Sequence, residues 1–152
     1  MKKNPQSVAT ILEREVAPAI QEWLRLVHLL QSLTRIPLSD DERALHLPKL
    51  FHDLSCRLRL AQDTPLPVST AATAHGQRRR DQGYSPAMVV EESRLLQVVT
   101  FGTLHLHRAE LDPQQLLLDV TVIADEVDLQ LGRALSCWEP PTVRAQNSIR
   151  GQ

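Results

Sequence analysis

The chain has 152 residues, 42% of them hydrophobic, and a net charge of -1. This is enough for one domain with a real core, and it is the composition of a globular chain, not a disordered one. Near-neutral charge and 3% aromatic content give no general electrostatic or stacking case for nucleic acid or an anionic membrane. No apolar run approaches a membrane span, and Lys2 and Lys3 are not followed by the apolar segment of a secretory signal. Cys56 and Cys137 lack metal spacing and read as reduced thiols, so the expected location is cytoplasmic.

The hydrophobic periodicity is helical almost throughout. It predicts an all-α protein, a five- to six-helix bundle with globin-like packing among its topologies and with long C-terminal helices. The first helical region spans about Pro5 to Leu30, with Val8, Leu12, Val16, Ala19, Trp23, Val27 and Leu30 facing inward. Pro18 predicts a kink or break in it. Ser39-Asp40-Asp41-Glu42 is a capping box opening the next helix. Its inward stripe is Leu47, Leu50, Phe51, Leu54 and Leu58, with Pro48 dividing a short leading turn from the main helix. Asp63 to Pro67 reads as a loop. An alanine-rich helix carrying His75 follows, then a long helix from Pro86 to about Ala109. Asp112-Pro113 opens the last helix, which runs to about Trp138. The helical domain is thus 1–138, and 139–152 is a polar tail or linker.

The junction between the His75 helix and the Pro86 helix carries the most information. Gly83 suits the left-handed residue that closes a helix, Ser85 suits an N-cap, and Pro86 the first helical position. His75, Arg79 and Gln82 share one helical face, together with Val68, Ala71 and Ala72. Glu92 sits inside the apolar stripe Met88, Leu95, Val99 and Leu106 of the following helix. A carboxylate there is costly unless paired, and Arg79, one turn before the junction, is a suitable counter-ion, with His75 nearby. Such a pair can be a sensory polar pocket, or it can simply pin two helices together.

Two blocks of residues carry a family resemblance. One is His75-Gly76-x-x-Arg79-x-x-Gln82-Gly83-Tyr84 followed by Glu92-Ser93-Arg94-Leu95-Leu96. The other is Leu38-Ser39-Asp40-Asp41-Glu42, then His46-Leu47-Pro48-x-Leu50 and Leu54, with Trp23 as a weaker match. From about Val8 to Trp138 the chain resembles the N-terminal domain of RsbT co-antagonist proteins of the RsbRD type. The resemblance implies an all-helical sensory or regulatory domain, not a catalyst, lying upstream of a histidine kinase or stressosome-type output module. It makes His75, Arg79, Gln82, Tyr84 and Glu92 the candidate polar cluster or ligand pocket.

Enzymatic signals are missing from the sequence. It has no Gly-rich phosphate loop, no nucleotide fingerprint and no nucleophile elbow. His105 and His107 diverge on a helix, as do His46 and His52, so spacing predicts no metal site. His75 followed by Gly76 is poor chemistry for a phosphoacceptor, and two phenylalanines are few for a haem pocket. No cofactor is expected. The last two helices carry second apolar stripes, Val90, Phe101 and Leu104 on one and Leu118, Val122 and Leu129 on the other. These are expected to form a homodimer interface, because a helix apolar on two sides is either central or shared. The resulting expectation is a dimeric input domain acting on an output module or a signalling partner. A pure dimerisation or docking module is the rival.

Overall fold

The structure, a computed structural model, describes residues 3–60, 64 and 69–140. Most of the predicted Asp63–Pro67 loop, Val68 on the predicted polar face, and the tail from residue 141 lie outside the described residues. The chain is all-α, with eight helical segments: α1 (Val8–Arg14), α2 (Val16–His28), α3 (Gln31–Thr34), α4 (Asp40–Ala44), α5 (Leu47–Arg59), α6 (Ala71–Asp81), α7 (Pro86–Leu106) and α8 (Pro113–Leu135). Single 3-10 turns follow α7 and α8, at Arg108–Glu110 and Ser136–Trp138. No strand occurs among the described residues, only an isolated bridge between Gln6 and Leu111. Nor is any described helix long and apolar enough to cross a membrane.

The first helical region breaks at Glu15, with φ -101 and ψ 15, not at Pro18. Proline has no N–H to give to the carbonyl four residues back, and its ring presses on that carbonyl. Here that residue is Arg14, so the helix ends there and restarts with Pro18 inside the first turn of α2. The predicted capping box is present. Ser39 Oγ accepts from the Glu42 N–H at 3.2 Å, and the Glu42 carboxylate accepts from the Ser39 N–H at 2.8 Å. At α8, the Asp112 side chain accepts from the Gln114 N–H at 3.0 Å and Pro113 begins the helix.

Two linked clusters fill the interior. The first joins α2, α5, α6 and α7 through Trp23, Val27, Leu47, Phe51, Leu96 and their neighbours. The second joins α1, α5, α7 and α8 through Ile11, Leu12, Leu54, Leu104, Ile123 and Val127. The predicted stripe of α7 holds for Met88, Leu95 and Val99, but Leu106 is 78% exposed. The fold therefore presents α6, the Gly83 turn and the start of α7 to the α4–α5 corner, which places the polar junction inside the bundle.

Candidate functional site: a buried polar core

The turn between α6 and α7 sets the geometry. Gly83 has φ 92, a conformation open to glycine at little cost. The Tyr84 N–H returns to the Arg79 carbonyl at 2.9 Å and the Gly83 N–H to the Arg80 carbonyl at 3.1 Å. These two bonds form a Schellman closure of α6. The Ser85 hydroxyl then caps α7 by accepting from the Met88 N–H at 3.3 Å. One tight turn thus holds Arg79 against Glu92, 13 residues later.

Arg79 is completely buried, and each of its three guanidinium nitrogens donates to an acceptor. Nε donates to Glu92 Oε2 at 3.0 Å, one terminal nitrogen donates to Gln82 Oε1 at 2.9 Å, and the other to the Arg43 carbonyl at 2.7 Å. Its plane also lies 4.8 Å from the centre of the Tyr84 ring, within cation–π range. Arg43 is a second buried guanidinium. It donates to the Tyr84 hydroxyl at 3.2 Å and to the Ile36 carbonyl at 2.6 Å. Trp23 closes the far side, its indole N–H donating to the Glu92 carbonyl at 3.2 Å. Burial pushes the Glu92 carboxyl above its ordinary value, and the Arg79 charge and hydrogen bond pull it back. Burial likewise raises the Tyr84 phenol, reinforced by the Glu92 charge.

Two histidines complete the core. His46 sits just before the first residue of α5 and stacks face to face on His75 of α6, ring centres 3.5 Å apart and planes within 9°. Trp23 meets His46 edge-on at 5.9 Å. His75 Nε2 lies 3.6 Å from Glu92 Oε2, beyond a hydrogen bond. The Nδ1 atoms of both histidines and Oε1 of Glu92 are buried without a hydrogen-bond partner. Beside them is a cavity of about 30 Å³, walled on its polar side by His46, His75, Glu92, Ser93 and Gln130 and elsewhere by apolar side chains. That volume suits a water or an ion; drug-sized ligands need about 300 Å³ or more.

Burial, helped by the Arg79 and Arg78 charges, lowers His75 to about 3. Burial, then the neighbouring His75 and Arg79, lowers His46 well below its ordinary value. Both rings are therefore neutral in the folded chain at neutral pH. The unfolded chain takes up these protons near pH 6.5, the folded chain only far below, so stability falls with pH from about 6.5 towards 3. Each depressed histidine contributes up to about 1.4 kcal/mol per pH unit inside that window. Glu92, raised in the fold, acts in the opposite sense, but only as pH rises through the range above 4.5. Urea unfolding at about pH 7 and about pH 5 should show the loss, and His75→Gln should flatten it. An unchanged slope in that variant would show that His75 does not carry the dependence.

The structure brings His75, Arg79, Gln82, Tyr84 and Glu92 into one cluster. Sequence reasoning missed Arg43 as a member and weighed His46 only in a motif block and in a rejected pairing with His52. The available signal was their place between and within the two halves of that block, one helical turn apart. The apolar second stripes separate into two groups. Leu104 is corrected: it is 3% exposed and belongs to this chain's own core, where it meets Ile123 and Val127 in one cluster. Phe101 packs partly against the same cluster. Val90, Leu118 and Leu129 are exposed and Val122 is half-buried, while exposed Leu117 lies outside that stripe, about 100° round α8 from Leu118.

In comparisons with protein-family models, curated proteins and solved structures, no match was found.

Proposed function

We propose that this chain is the non-catalytic input domain of a bacterial signal-transduction protein, of the histidine-kinase or stressosome type, working as a helical homodimer. The observation that carries this reading is the meeting of two sequence blocks far apart in the chain. The α4–α5 block and the α6–α7 block, which together carry the RsbRD-type resemblance, join in one buried core through the Arg79–Arg43 bond and the His46–His75 stack. A polar core that ties the start of α7 to α5 and α6 can bias how α7 and α8 pack, and α8 leads towards the C-terminal connection. Such a shift needs something that binds two packings unequally.

The dimer in this proposal uses Val90, Leu118, Val122 and Leu129; Leu104 and Phe101, which pack against this chain's own core, are removed. Val122→Glu combined with Leu118→Glu should convert a dimer to a folded monomer in sedimentation. Asp128→Ala, at an exposed position, should leave it unchanged. A wild-type monomer at high concentration would remove the dimer from the mechanism. For signalling itself, removal of this domain from a protein that carries the output module should change that module's basal output. An unchanged output would count against the input role.

The second reading, a docking module without a small-molecule ligand, has its own support. The cavity at the polar core is too small for a drug-sized effector, whereas an open groove of about 420 Å³ runs between α2 and α7 beside Leu26, Val98 and Leu106.

A further inference from the structure

We infer that His46, His75 and Glu92 form a site for a divalent transition-metal ion of the imidazole-preferring kind, such as zinc. The inference stands apart from the signalling role. These residues come from three separate positions, the start of α5, the middle of α6 and the first turns of α7, so no sequence spacing announces them. Each offers a donor atom, and the three donors lie within 4.8 Å of one another. All three residues are more than nine-tenths buried, and each keeps a polar atom without a partner. Buried polar atoms are seldom left so. The same three residues line one cavity of about 30 Å³, room for a small occupant.

The chemistry selects the class of ion. Both imidazoles are buried away from water, and a ligating imidazole must be neutral. Glu92 gives Oε2 to Arg79 and has Oε1 free, so it can bind through one oxygen while the other is anchored. Anchoring of this kind orients a ligating carboxylate. Two neutral histidines and one carboxylate leave an open position on a tetrahedral ion, on the side of the cavity. The guanidiniums of Arg79 and Arg43 oppose any cation. An ion held by charge alone, such as magnesium or calcium, is therefore rejected, and one bonded strongly by imidazole is favoured. The rings are stacked, with nitrogen lone pairs in parallel planes, so binding requires one ring to turn into the cavity. That turn separates His46 from His75 and changes the edge contact of His46 on Trp23.

The test uses the full chain carrying Cys56→Ser, because Cys56 Sγ and His52 Nε2, 3.5 Å apart, are a surface pair that could take zinc adventitiously. Calorimetry with Zn²⁺ should give one ion per chain. His46→Gln and His75→Gln should each weaken binding by more than the roughly 10–100-fold that loss of a supporting group costs. Co²⁺ substitution should give ligand-field bands without thiolate charge transfer. No Zn²⁺ uptake, uptake indifferent to both histidine variants, or thiolate bands locating the ion at Cys137 would each overturn the site. If the histidine variants fail to fold, Ni²⁺ quenching of Trp23 fluorescence in a Trp138→Phe background decides. Saturable quenching supports the site, and its absence refutes it.

Discussion

Gly76→Ala should destabilise the chain by about 3 kcal/mol or more, although alanine is the better helix former. A Cβ at residue 76 would sit 2.0 Å from the Ala134 carbonyl oxygen and 2.7 Å from the Ala134 carbonyl carbon and Cα. Those atoms are backbone of α8, so no side-chain rotation relieves the clash; α6 and α8 must separate. Replacing glycine by alanine inside a helix gains only about 1 kcal/mol of propensity. The loss of packing therefore wins. Gly102 and Gly132 supply the contrast, since a Cβ at either meets nothing within 4 Å. Gly102→Ala and Gly132→Ala should be neutral or stabilising by up to about 1 kcal/mol. Urea unfolding of the three variants separates the effects. Equal small changes in all three would show that α6 and α8 are not in the close contact described. Because His75 and Arg79 flank Gly76 on α6, the same variant should also disturb the polar core, seen as increased exposure of Trp23.

Gly76 also shows where sequence reasoning stops. In the sequence it looks like a defect in an alanine-rich helix. Its reason is a residue in α8, a contact that no local pattern records. The same division runs through the rest of the molecule. Helical period, the Ser39 capping box, the Gly83–Ser85–Pro86 junction and the Asp112–Pro113 start were legible because each is a property of a few adjacent residues. Arg79 and Glu92 were legible because a single turn separates them, and because a carboxylate inside an apolar stripe calls for a partner. Arg43 and His46 come from another part of the chain. Apart from their place in the motif block, nothing in their surroundings distinguishes a buried arginine from the exposed charges of Asp40, Asp41 and Glu42 beside it. Pro18 was read correctly as a break, but the break falls at Arg14 and Glu15, because proline acts on the turn before it. Leu104 was assigned to an outer stripe because α7 is apolar on several sides. Only the position of α1 and α8 against it settles which side is inside.

Glu92→Ala and Arg79→Ala should each cost about 3–5 kcal/mol, and the double variant should cost clearly less than their sum. Arg79 is fully buried and Glu92 is 3% exposed, so either residue left alone is an uncompensated charge or must give up its ionisation. Loss of Glu92 leaves a guanidinium that keeps its bonds to Gln82 and the Arg43 carbonyl but no counter-charge. Loss of Arg79 leaves a buried carboxylate beside His75, and removes the bond that ties α6 to the end of α4. A double-mutant cycle should give a coupling of about 1–3 kcal/mol, whereas additive losses would show that the pair does not interact. Arg79→Lys should fail to restore the wild type, since one ammonium cannot reproduce three donors held in a planar fork on three separate acceptors. An apolar pair of similar volume, Arg79→Met with Glu92→Leu, should recover much of the stability, because desolvating the ions offsets most of what their attraction contributes. That recovery would separate the two roles open to the cluster. A variant that regains stability while losing metal uptake and any effect on an output module would assign the ion pair to function. One that regains stability and keeps both would leave Arg79 and Glu92 as a device for fixing how α6 meets α7.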